Sequence, residues 1–181
     1  MSKIFTEKKL KIIPQKGFTL LELLVVVAII GFLVSIVMPA LDDARKKARD
    51  TVRISDMTQV QTALQLYYNT YGRYPLNTDN DCGGFDIGFN GGIGSGDPFI
   101  QPLQTEGFIV TPGDSVSVTN CGGYSYYRYI APYAGCTQSN FFILGVRNME
   151  TSVGPHPASP GWSCPGRDWQ NEFEWVTGGF E

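Results

Sequence analysis

The sequence predicts an α+β fold: a long N-terminal helix, about residues 18–71, packed on a small antiparallel sheet. Three observations carry this. Leu23 to Leu41 is a run of nineteen residues without a formal charge. An amphipathic stripe follows at Met57, Val60, Leu64, Tyr67 and Tyr71, spaced 3, 4, 3, 4 as for one face of a helix. Runs rich in aromatic and β-branched residues come only later, at Tyr124–Ile130 and Asn140–Val146.

The apolar run is long enough to span a bilayer as a helix. Its first half is apolar on all sides, as a membrane or bundle-core helix must be. Pro39 lacks a donor and crowds the carbonyl of Ser35, so a kink or local break is expected there, with Gly31 a second soft spot. Asp42, Asp43, Arg45, Lys46, Lys47 and Arg49 mark the exit into water, and the stripe then lays one face on the sheet. Gly72 and Pro75 stop the helix.

Charge is distributed unevenly. The 181 residues sum to −3. Residues 1–17 hold Lys3, Lys8, Lys9, Lys11 and Lys16 against Glu7, a net of +4 that leaves −7 on the remainder. A basic segment before an apolar span is the positive-inside pattern, which puts residues 1–17 in the cytoplasm and exports the acidic body. That acidity argues against a broad nucleic-acid surface. A secretory signal peptide is cut after its apolar region at small residues. Met38-Pro39-Ala40 instead runs on into charged helix, and an uncleaved anchor accounts for neither Gly17-Phe18 nor Glu22.

Lys16-Gly17-Phe18-Thr19-Leu20-Leu21-Glu22 resembles the processing site of type IV prepilins and of the related pseudopilins of type II secretion. The resemblance extends through the apolar half-helix and Pro39 to Tyr71-Gly72-Arg73-Tyr74-Pro75, and weakens beyond. It implies a pilin fold, cutting by a prepilin peptidase between Gly17 and Phe18, N-methylation of Phe18, and a role for Glu22 in filament assembly. The implied organisation is a leader at 1–17, a membrane or filament-core half-helix at 18–41 and an exported domain at 42–181. The implied partners are further copies of the chain in a helical filament, the membrane, the peptidase and the pilus assembly machinery. The subunit would wait in the inner membrane and end in a pilus or cell-surface filament.

Cys82, Cys121, Cys136 and Cys164 all lie in the acidic part, and an even count in an exported chain reads as two disulfides. Of the three pairings we favour Cys82–Cys121 with Cys136–Cys164. Zinc is the alternative, but no C-x-x-C spacing supports it. Residues 76–97 hold seven glycines and read as a surface loop. Asp79, Asp81 and Asp86 there faintly resemble a calcium loop, without the downstream acidic ligand that such a loop needs. A short helix is expected over 98–106, with Phe99, Ile100 and Leu103 on one side and Gly107 as its stop.

Strands are expected at Phe108–Val110, 115–119, 124–130 and 140–146, the last two as a hairpin. Residues 151–166 read as a Pro- and Gly-rich loop. The tail from Asp168 to Val176 is expected to add an edge strand or to pack Trp169 and Trp175 on the body. The single His156 sits among prolines and reads as a surface residue. No nucleophile–base pair or phosphate loop can be assembled, so the chain reads as a non-enzyme without a cofactor. Tyr124, Tyr126, Tyr127, Tyr129 and Tyr133 raise a further possibility, a minor pilin that stacks them on bases or sugars, although aromatic alternation in a strand is mostly core.

Overall fold

The computed structural model describes residues 17–77, 83–88, 99–110 and 121–181. The chain divides between Asp42 and Asp43 into two units. Its elements are α1 (Leu20–Tyr71), β1 (Asp86–Gly88), α2 (Gln101–Thr105), β2 (Gly123–Tyr129), β3 (Phe141–Arg147), β4 (Ser163–Cys164), β5 (Arg167–Asp168) and β6 (Trp175–Phe180), with a 3-10 turn at Trp169–Asn171. The architecture is α+β and pilin-like: one long helix and an antiparallel sheet of four strands.

In the first unit the helix exposes its large apolar side chains from Leu20 to Leu41. It is uninterrupted across Gly31 and Pro39, so the local break expected at Pro39 is not seen. Only one backbone donor is lost at a proline. The one hydroxyl inside the run, that of Ser35, donates to the Phe32 carbonyl and is satisfied within the helix.

In the second unit the sheet has the order β1-β2-β3-β6, all antiparallel. Met57, Val60, Ala63 and Leu64 of α1 pack with Leu103 of α2 and with Tyr124, Tyr126, Phe142, Leu144, Val146 and Trp175 of the sheet. These sheet positions alternate along each strand, as one face of a pleat must. The other face is also covered. Tyr129, Phe141, Ile143 and Val176 meet Phe85, Trp169 and Phe173. β3 is therefore buried on both sides, and that is why it reads as a continuous apolar run instead of an alternating one. Gly145 in its middle leaves the space that the Phe173 ring fills; a Cβ there would lie 2.5 Å from Phe173 Cδ1.

Several expectations are corrected. Phe108–Val110 forms no strand; Phe108 and Ile109 pack through their side chains on the helix-side core, and no described strand pairs with them. Residues 115–119 lie outside the described residues. The 76–97 loop contains β1, whose three residues pair with Tyr124–Tyr126. Residues 151–166 are not simply loop, since they contain β4, which pairs with β5 just after them as a small hairpin. Tyr71, placed on the stripe, is 43% exposed, with its ring against that of Tyr67 at 4.5 Å. The expected short helix is present as α2, with Phe99, Ile100 and Leu103 buried and Gly107 at φ +73 behind it.

Candidate processing and assembly site

Gly17 and Phe18 precede the helix and are open: no atom lies near a Cβ built on Gly17, and Phe18 is 90% exposed. Thr19 and Glu22 then start α1 as a reciprocal pair. The Glu22 N–H donates to the Thr19 hydroxyl oxygen (3.2 Å). The Thr19 N–H and hydroxyl both donate to Glu22 Oε2 (2.8 and 2.9 Å). This is a capping box, which satisfies two helix-end donors at once. Sequence reasoning gave Glu22 a role in filament assembly and did not assign it this cap. The signal for the cap was present as Thr19-x-x-Glu22, directly before an apolar run. Glu22 is the one formal charge between Phe18 and Asp42. The arrangement offers an accessible peptide bond between Gly17 and Phe18, a helix that starts at a fixed point after it, and one carboxylate at the head of an apolar segment.

The second unit is held by charge pairs that the sequence did not reveal. Asp50 is buried on α1 and accepts from the N–H groups of Glu150 (3.0 Å) and Thr151 (2.8 Å), the Thr151 hydroxyl (2.7 Å) and Arg53 Nη1 (3.0 Å). Arg53 is 2% exposed and also donates to the Asn148 carbonyl. Arg49 grips Glu150 with two bonds of 2.6 Å. The segment after β3 is thereby clamped to the helix. Burial alone would raise the Asp50 carboxyl, but the N–H groups of Glu150 and Thr151, the Thr151 hydroxyl and Arg53 outweigh it and hold it below the ordinary range. At the other end of the sheet, Glu181 receives two bonds from Arg128 and one each from Asn140 and the Tyr74 N–H. Burial pushes its carboxyl up too, and these donors overcome that and lower it.

Cys136 and Cys164 form a disulfide, joining the β2–β3 connection to β4. Cys121 is also disulfide-bonded, whereas Cys82 lies outside the described residues. Asp79 and Asp81 lie outside them as well. Asp86 is 1% exposed and accepts the Ile100 N–H at 3.0 Å. Tyr124, Tyr126 and Tyr129 are buried, which removes them as a stacking surface; Tyr133 is the most exposed of the five. Burial pushes the Tyr129 hydroxyl up to about 12. His156 holds a local turn, with its N–H on the Glu174 carbonyl and Nδ1 accepting from Ala158.

Residues 14–38 match the family model described as the prokaryotic N-terminal methylation motif. The chain is 43% identical over 61 residues to type II secretion system core protein G of Pectobacterium carotovorum, covering 34% of this chain and 39% of that protein. It is 38% identical over 63 residues to type IV major pilin protein PilE1 of Neisseria gonorrhoeae, covering 35% and 38%. A fimbrial protein of Neisseria meningitidis is 38% identical over 97 residues, 54% of each chain. The chain thus spans between two fifths and about half of the length of these relatives. No solved structure matches it significantly. Motif, capped apolar helix and α+β architecture agree, and the chain carries the N-terminal methylation motif of the type IV pilin and type II secretion pseudopilin family.

Proposed function

We propose that the chain is a structural subunit of a type IV pilus or related filament, cut between Gly17 and Phe18, methylated on Phe18 and polymerised through its N-terminal helix. The observation that carries this is the open Gly17-Phe18 bond set just before a capped helix whose apolar segment, up to Leu41, has Glu22 as its one charge. Residues 1–17 are the cytoplasmic leader, 18–41 the membrane and later filament-core segment, and 42–181 the exported domain. Before assembly the helix is long and apolar enough to cross the inner membrane. In a filament the same apolar surface packs against other copies, which supplies most of the attraction once subunits leave the lipid. The Glu22 carboxylate of an incoming copy pairs with the Phe18 ammonium that cutting exposes on its neighbour. An unpaired carboxylate in apolar surroundings is costly, so this pairing selects the register.

A second reading is a pseudopilin of a type II secretion system. It is favoured by the 43% identity to core protein G, higher than that to the pilins, though over a shorter stretch than the fimbrial match. Electron microscopy of material sheared from native cells, with mass spectrometry of its protein, separates the two. Long filaments built mainly of a chain beginning at Phe18 mean a major pilin. A correctly cut chain confined to the membrane fraction favours the pseudopilin or a minor subunit. Gly17→Glu is expected to leave the leader on. Glu22→Ala is expected to be cut yet fail to polymerise; filaments at wild-type level would reject the pairing.

A further inference from the structure

β6 ends the sheet, and half of its outer edge is open. Its odd positions bond inward: Phe142↔Gly179 and Leu144↔Thr177 are paired, and the Glu181 N–H reaches the Asn140 carbonyl. The even positions therefore face outward, since in-plane direction alternates along a strand. Two of them are already covered. The Glu174 carbonyl accepts from the His156 N–H, and the Val176 N–H donates to Ser159 Oγ. The next two, Gly178 and Phe180, have no hydrogen-bond partner among the described residues. Natural edges are usually guarded by charge, proline or a bulge. The window Gly178-Gly179-Phe180 has no charge and no proline.

We propose that this window pairs with the same window of a second copy, antiparallel and about a twofold axis through Gly179. The register Gly178↔Phe180 and Phe180↔Gly178 satisfies both open residues of each copy, giving four backbone hydrogen bonds. Ser159 blocks a shift toward Val176. Three details fit this occupant over an unrelated strand. The open groups are symmetric about Gly179, so the window is its own complement. On the axis the two Gly179 residues form a non-hydrogen-bonded pair, where opposed side chains come closest, and glycine brings none. Across the interface each Phe180 ring faces a Gly178. That glycine is backed by Trp162, which lies so near that a Cβ would sit 2.6 Å from the indole, and Trp162 already holds its own Phe180 ring at 5.2 Å. The neighbour's Phe180 ring would therefore meet the Trp162 indole that fills the glycine's side-chain space. The contact is isologous and closes on itself. It joins two subunits or two filaments sideways, does not extend a filament, and does not depend on the filament reading. With so few bonds it is weak for one pair and strengthened by repetition along aligned copies.

The test is amide hydrogen exchange by NMR on the full chain in detergent micelles, dilute and concentrated. The amides of Gly178 and Phe180 are expected to exchange fast when dilute and roughly tenfold or more slowly when concentrated. Those of Thr177 and Gly179, bonded to β3, should not change. Phe180→Pro removes one outward N–H and leaves the bonds to β3 in place, and should abolish the concentration dependence. Equal, fast exchange at both concentrations overturns the proposal. So does equal, slow exchange, which would mean that the edge is covered within one copy. Concentration-dependent protection confined to other residues would overturn it as well.

Discussion

Replacing Asp50 with alanine should be the most damaging single change in the second unit. The carboxylate accepts four bonds from three residues, all between 2.7 and 3.0 Å. Its loss strands the N–H groups of Glu150 and Thr151, and takes from the buried Arg53 guanidinium an anion 3.0 Å away. Breaking a buried pair by removing one partner costs about 3–5 kcal/mol, because the remaining charge stays buried. Water reaching the half-buried Glu150 and Thr151 amides places the expectation near the low end, about 3 kcal/mol. Asp50→Asn keeps one accepting oxygen and should cost less. The assay is urea unfolding of the full chain in micelles, followed by tryptophan fluorescence, since Trp169 and Trp175 are buried in this unit. At an unchanged slope the midpoint gives the difference directly. A loss below about 1 kcal/mol, the range of an exposed pair, would refute the reasoning. The midpoint should also fall in Arg53→Met, but by less, because the Asp50 carboxylate keeps its three donors from Glu150 and Thr151.

Acid should act through the same groups. Asp50, Glu150 and Glu181 all have carboxyls held below their ordinary range, Glu150 chiefly by its bonds from Arg49. A depressed folded-state pKa contributes stability that is present above the unfolded value, about 4, and lost as pH falls through the folded one. The urea midpoint should therefore drop below about pH 4, and drop less steeply in Asp50→Asn. Cys136→Ser opens a loop whose ends are 28 residues apart and should cost about 3–4 kcal/mol, read by the same unfolding curves. Gly145→Ala drives a methyl into the Phe173 ring and should cost about 1–3 kcal/mol, restored in part by Phe173→Leu. Thr19→Ala removes the helix cap, and exchange of the Glu22 amide should quicken about fivefold with the rest of α1 unchanged.

The long helix, its stripe and the β2–β3 hairpin were legible because each is a local pattern. The spacing at Met57, Val60 and Leu64 is a property of neighbouring residues, and so is the aromatic run of β2. Gly17, Phe18 and Glu22 were legible as a motif, but the bonds that Glu22 makes to Thr19 were not read. What was missed depends on distant parts of the chain. Asp50 looks like one more solvated charge until residues 150 and 151, a hundred positions away, bring their N–H groups to it. β1 is three residues long and exists only because β2 offers it an edge. The second covered face of the sheet comes from Phe85, Trp169 and Phe173, which carry no shared periodicity. Phe108–Val110 failed in the opposite sense: its composition suits a strand, but no described strand lies beside it to bond.

The capping box has a bearing on what proteolysis would do to the molecule. All three of its hydrogen bonds run between Thr19 and Glu22, downstream of the Gly17–Phe18 bond. A cut there removes no atom of the cap, so precursor and product begin their helix at the same place. What the cut changes is electrical: a new cation appears at Phe18, four residues before the Glu22 carboxylate that is already held still. Maturation would then rewire the charge at the tip of a rod whose shape is ready beforehand. The carboxylate need not be folded into position when a neighbour arrives, only released from Thr19.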